Sequence, residues 1–152
     1  MAFERVALVP RSRNLRRDAA DAVYVCVYVS SSKGVHMPRI AAHIGVNVLA
    51  RIGAEPDSRV DVFAGTGVDF GFIQLVPSAN GYVLAPNTLR FKHSPAKKPR
   101  YSTVLIPAAA IGSIRPADQL RSRPSERVTF QTFGSALTIC LPSDILREKE
   151  GA

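Results

Sequence analysis

The 152-residue chain has no run of about 18 apolar residues, so nothing in it reads as a membrane-spanning helix. Its opening, MAFERVALVPRSRN, lacks the apolar core of a secretory signal. Together these absences set the expectation of a cytoplasmic protein that does not engage membrane. Cysteine is scarce, with Cys26 and Cys140 both inside apolar runs (VYVCVYV and LTICLP), where a cysteine is usually a small buried hydrophobe rather than half of a disulfide. His36, His43 and His93 show no metal-ligand spacing with one another or with the cysteines. GTGVDFG is not GxGxxG and precedes no long helix, so it reads as a hairpin turn and not a phosphate cradle. Asp57, Asp61 and Asp69 are divided between turns and a strand, which argues against a Mg²⁺ site. No Ser-His-Asp arrangement is legible either. The sequence therefore predicts no enzyme and no cofactor.

Acidic residues are also few. Twelve of them face 20 Lys and Arg, giving a net charge of +8 and a pI near 10.1. That excess favours a polyanionic partner without dictating a fold. Hydrophobic residues make up 46% and charged residues 21%, which is globular composition. The length suits one domain with a sizeable core.

Turn signals divide the chain into short extended segments. AVYVCVYVS (22–30) reads as a strand, apolar on both faces and so well buried. PRIAAHI is a short strand. VNVLARIG suits a short helix with Gly53 at its C′ position, and AEPDS is a turn. RVDVFAG and GFIQLVP form a hairpin, with Val60 and Val62 on one face. GYVLAPNTLRFKH holds two short extended pieces around Pro86, and STVLIPAAAIGSI is a strand running into a short helix. SPAKKPR is a basic linker and RPADQLRSRPSE a polar connection. RVTFQTF and ALTICLP make a second hairpin around Gly134-Ser135. SDILREKEGA opens with a helical turn capped by Ser143 or Asp144. The pattern predicts a mostly β protein with short helices, closed as a small β-barrel. Its expected parts are a basic arm (1–21), a β-rich domain (22–142) and a tail (143–152).

The two hairpins resemble each other. Each begins Arg-Val (Arg59-Val60, Arg127-Val128), turns at glycine and closes at Pro-Ser. A strand ending Ile-Gly (Ile44-Gly45) or Ile-Pro (Ile106-Pro107) precedes each. The second copy carries an insertion around RPADQLRSRPSE. Two related units, about 22–92 and 101–142, follow from this reading.

The segment IGVNVLARIGAEPDSRVDV (44–62) resembles the AbrB/MazE (SpoVT-AbrB) family of swapped-hairpin DNA-binding domains. Ile44-Gly45 stands where that family has Ile-Pro. Val48 and Ile52-Gly53 match its short helix, Glu55-Pro56-Asp57-Ser58 its turn, and Val60-Asp61-Val62 its strand. Ile73, Leu75 and Pro77 match the returning strand. The resemblance covers residues 38–77 and, more weakly, 101–142. It implies two swapped-hairpin-like units that bury each other's apolar faces, a task the family accomplishes by dimerising. It also implies double-stranded DNA as partner, contacted by basic residues on loops and strand starts.

The candidate DNA contacts are Arg11, Arg13, Arg16 and Arg17 in the arm, Arg39 before the first motif, Lys97, Lys98 and Arg100 in the linker, and Arg121 and Arg123 in the insertion. Arginine suits both phosphate and guanine because its planar fork binds bidentately. The expected function is that of a bacterial or phage transcriptional regulator. The competing reading is a small β-barrel interaction module, such as a phage-encoded inhibitor or antitoxin-like protein, whose basic surface meets an acidic protein. A homodimer is compatible with either.

Overall fold

The computed structural model describes residues 16–32, 35–86 and 100–148. Ten strands and one short α-helix follow in chain order: β1 (Val23–Ser32), β2 (Val35–Gly45), α1 (Val46–Arg51), β3 (Arg59–Ala64), β4 (Phe72–Ser78), β5 (Tyr82–Val83), β6 (Ala85–Pro86), β7 (Tyr101–Pro107), β8 (Arg123–Val128), β9 (Phe130–Phe133) and β10 (Ala136–Cys140). Single 3₁₀ turns occupy Arg16–Asp21, Gly67–Asp69, Ala108–Ala110, Ala117–Gln119 and Ser143–Ile145.

The strands form two five-stranded antiparallel sheets. Sheet A has the order β6-β7-β2-β1-β8 and sheet B the order β5-β3-β4-β10-β9. The mostly β class is as the sequence predicts, but the described strands make two open sheets and not one closed barrel. The margins explain this. Only Leu84 separates β5, an edge of sheet B, from β6, an edge of sheet A. Thr129 likewise separates β8, the other edge of sheet A, from β9, the other edge of sheet B. One chain segment thus crosses at each seam. At the first seam, two residues per strand are too few to carry a hydrogen-bond ladder around the corner.

Alternation builds the core. Val23, Val25 and Val27 of β1, Ile40, Ala42 and Ile44 of β2, and Val104 and Ile106 of β7 point inward from sheet A. Val60, Ile73, Leu75, Leu137 and Ile139 meet them from sheet B, all in one cluster. Each fully buried Leu or Ile contributes roughly 1.5–3 kcal/mol. Ser102, fully buried among them, donates its hydroxyl to the Pro56 carbonyl at 2.5 Å and ties the AEPDS turn to β7. Ser58 braces that turn, its hydroxyl donating to the Glu55 carbonyl (2.7 Å) and accepting from the Glu55 amide (2.9 Å).

Several local expectations need correction. PRIAAHI is the end of an eleven-residue strand, and Pro38 is tolerated there because β7 begins its pairing only at Arg39. The RPADQLRSRPSE connection is not wholly irregular, since Arg123–Glu126 pair along β1 as an edge strand that accommodates Pro124. The last 3₁₀ turn takes Pro142 as N-cap, with no side-chain cap from Ser143 or Asp144. α1 and its C′ residue agree with the sequence: Ile52 caps the helix, and Gly53 follows at φ 75°.

Both central pairings are antiparallel. β2 runs against β7 with Ala42 opposite Val104, and β4 runs against β10 with Gln74 opposite Thr138. The first hairpin (β3-β4) and the second (β9-β10) therefore lie side by side in one sheet, while β2 and β7 lie side by side in the other.

Candidate nucleic-acid interface

The outer face of sheet A begins with the sequence YVCVYV. Val25 and Val27 face the core at 1–2% exposure and Val29 is half-buried against it, so period two sends Tyr24, Cys26 and Tyr28 the other way. The strand was expected to be buried on both faces. Instead Tyr24 and Cys26 are half-buried and Tyr28 is 56% exposed.

Cross-strand register assembles the rest of the face. Arg127, Tyr24, His43 and Thr103 stand in one row across β8, β1, β2 and β7. Tyr28, Arg39 and Pro107 form another. His43 is held from three sides: its Nδ1 lies 2.7 Å from Thr103 Oγ1, its Nε2 3.7 Å from Cys26 Sγ, and the Tyr101 ring meets it edge-on at 5.5 Å between centroids. β1, β2 and β7 contain no Asp or Glu. The only carboxylate on sheet A is Glu126, on the edge strand β8. The face is thus aromatic and basic, with its positive charge unopposed on the three central strands.

Of the predicted contacts, Arg39, Arg121 and Arg123 come together at one end of this sheet. Arg39 sits beside Tyr28 on β2, and Arg123 pairs with Val27 from the other side of β1. The Ser122 hydroxyl accepts a hydrogen bond from the Val29 amide at 3.1 Å, which brings neighbouring Arg121 to the same place. Arg121 is exposed and donates to the Asp118 and Leu120 carbonyls, both at 2.9 Å. Arg123 is used internally: it pairs with Glu126 at 2.7 Å and with Asp144. The Asp144 carboxylate raises the Arg123 pKa further above its ordinary value, and the guanidinium holds the Asp144 carboxyl below its own.

Arg100 lies elsewhere. It precedes β7 at the α1 end, where its carbonyl accepts from Val46 N at 2.9 Å. The Arg39 row and the Gly45–Tyr101 row are six residues apart along β2, about 20 Å. The 3₁₀ turn beginning with Arg16 and Arg17 docks at that same end, through Gly45 N to the Ala22 carbonyl (2.9 Å) and Asn47 Nδ2 to Asp21 Oδ1 (2.7 Å). Arg11, Arg13, Lys97 and Lys98 lie outside the described residues. The structure therefore gathers the described candidates at two ends of one sheet. Sequence reasoning missed the tyrosine face between them, and the signal for it was the Tyr/Cys-against-Val alternation in YVCVYV.

Sheet B presents a different surface. Phe63 (55% exposed), Phe72 (36%) and Phe133 (88%) stand on its outer face around Gln74, Thr138 and Gln131. Cys140 opens onto this face opposite Phe72, as Cys26 does onto that of sheet A, and both thiols are free. A shallow depression of about 550 Å³ at the β6 margin is lined by Val83, Ala85, Pro86, Tyr101, Thr103 and Leu105, without a carboxylate. Among the described residues no cluster of His, Cys, Asp and Glu could hold a metal ion, and no helix is long and apolar enough to cross a membrane. No protein-family model, curated protein or solved structure matches the chain.

Proposed function

We propose that this chain is a DNA-binding protein, a bacterial or phage transcriptional regulator that holds duplex DNA through its arginine- and lysine-rich arm, linker and loops. The observation that carries the reading is the double antiparallel pairing, β2 against β7 and β4 against β10. Each pair brings together corresponding parts of the two strand–turn–hairpin segments, 44–77 and 106–141. Ile44 and Ile106 are buried on adjacent strands, and Ile73 and Leu75 lie opposite Ile139 and Leu137. One chain thus builds internally the kind of paired unit that the swapped-hairpin family makes from two. The net charge of +8 and the arginines at both ends of sheet A supply the electrostatics. Phosphate contacts of this kind position the protein, while a few base contacts select sequence.

Fluorescence anisotropy with a pool of genomic duplex fragments tests the proposal. The expected result is salt-sensitive binding, with a subset of fragments retained at moderate salt. No binding at low salt overturns it.

A second reading is favoured by one feature, the exposed phenylalanines of sheet B, because an apolar patch on a folded surface marks a protein-interaction site. In that case the basic surface meets an acidic protein. A pull-down that returns an acidic partner, with no DNA binding at low salt, would decide for it.

A further inference from the structure

We infer that the outer face of sheet A binds single-stranded DNA, stacking unpaired bases on Tyr28 and its neighbours while Arg39 and Arg127 hold the backbone. The inference rests on the DNA-binding reading and names a second form of the ligand, distinct from the duplex that the arm and linker would hold.

Three observations converge on this face. The first is exposure. Tyr28 leaves 56% of its surface in water on a strand whose Val23, Val25 and Val27 are buried, and Met37 (48%) and Leu105 (44%) extend the open surface. An exposed aromatic ring on a flat sheet offers its π-face to any base, whatever the sequence. The second is pairing. Tyr28 lies directly opposite Arg39, at the roughly 5 Å separation of cross-strand neighbours. A base stacked on the ring therefore brings its phosphate within reach of a guanidinium. Tyr24 repeats the arrangement four residues along the strand, directly opposite Arg127. The two aromatic–arginine pairs are about 13 Å apart along β1. The third is charge. No carboxylate lies on β1, β2 or β7, and the one on β8, Glu126, is bound to Arg123 at 2.7 Å. No carboxylate on those three strands repels a polyanion laid across them.

A duplex does not use such a surface, because its bases are already stacked on one another and only a groove edge is offered. An unpaired strand does. Arg39 with Arg121 stands at the Tyr28 end of the sheet, and Arg100 precedes β7 at the other. His43, fixed by Thr103, Cys26 and Tyr101, keeps the middle of the face rigid. Aromatic platforms in a basic groove are the general device for sequence-tolerant binding of single strands.

The test uses the full chain and a fluorescein-labelled oligo-dT, alongside a duplex of the same length. Because the chain has four tyrosines and no tryptophan, tyrosine emission reports stacking directly. Wild type is expected to bind oligo-dT with quenching of tyrosine emission. Tyr28→Ala should weaken that binding roughly five- to a hundredfold while leaving duplex affinity within twofold. Tyr28→Phe, which keeps the ring, should bind like wild type. Arg39→Gln should lower the log–log salt slope for oligo-dT by about 0.7. Phe133→Ala, on the outer face of sheet B, should change nothing. Tyr28 is exposed, so an unchanged melting temperature is expected to show that Tyr28→Ala folds. If wild type and Tyr28→Ala bind oligo-dT equally, the inference is wrong while the duplex reading stands. Failure to bind either DNA at low salt removes both. Self-association that Tyr28→Ala abolishes would assign the face to a second copy and also overturn the inference.

Discussion

Ile73 of β4 lies directly opposite Ile139 of β10, and both are fully buried. This contact joins the two hairpins, 66 residues apart in sequence, at the centre of sheet B. Truncating either side chain to alanine leaves a cavity between the sheets. Each single change is expected to cost about 2–5 kcal/mol of unfolding free energy in urea denaturation. Because the pair shares one space, the double variant should depart from additivity by about 0.5–3 kcal/mol. Strict additivity would show that the hairpins do not support each other through this pair.

Gly45 is a position that the structure reserves for glycine. It is buried where α1 follows β2, and a Cβ there would run into the backbone carbonyls of Ala19 and Ala20. The close approach belongs to the 3₁₀ turn that docks through the Gly45 amide. Gly45→Ala is expected to lose at least the ~1–3 kcal/mol typical of overpacking, since the neighbour is backbone and cannot rotate away. Hydrogen exchange at the Gly45 amide should accelerate as the turn lifts off. Gly112→Ala, where a Cβ meets nothing within 4 Å, should stay within about 0.5 kcal/mol of wild type.

Much of this was legible from residue types. The short helix, its Gly53 terminus, the first hairpin and the Gly134 turn of the second follow from local spacing, because turn chemistry and capping act over a few residues; the first strand of the second hairpin is Phe130–Phe133 and not the whole of RVTFQTF. The Arg-Val correspondence between the hairpins does not carry through: Arg59-Val60 lie on β3 beside β4, whereas Arg127-Val128 end β8 and pair with β1 in the other sheet. Three things were not legible. YVCVYV could be read as doubly buried, because tyrosine and cysteine suit a core as well as a sheet surface. Arg123 looked like a phosphate contact, because only tertiary structure brings Asp144 to it. The bend at Thr129, which sends one continuous extended segment from sheet A into sheet B, leaves no mark on the alternation around it.

The Arg123–Asp144 pair makes stability depend on pH in a defined direction. The guanidinium hydrogen bond holds the Asp144 carboxyl below its ordinary 3.8, so the folded chain takes up that proton less readily than the unfolded one. The pair's contribution is complete above the unfolded value. It declines as pH falls through that value and is lost below the lower, folded one. Asp144 is largely exposed, so solvent screening limits its worth. Asp144→Asn should lower unfolding free energy at pH 7 by less than about 1 kcal/mol. The gap to wild type should close as the buffer is taken down through and below the ordinary carboxyl range. A constant gap across that range would mean that packing, and not charge, is what Asp144 supplies.

The basic arm can be tested apart from the tyrosine face. The 3₁₀ turn that begins with Arg16 and Arg17 is held at the α1 end of sheet A by the Ala22 carbonyl and by Asp21. Replacing Arg16 and Arg17 together by alanine should therefore leave the melting temperature unchanged. If both contact duplex phosphates, affinity should fall by a similar factor for every DNA sequence, and the log–log salt slope should decrease by about two. A weaker affinity confined to one sequence would instead point to base contacts, such as an arginine fork on guanine. An unchanged affinity and slope would remove the arm from the duplex interface and leave Arg100, Arg121 and the 97–98 lysines to account for it.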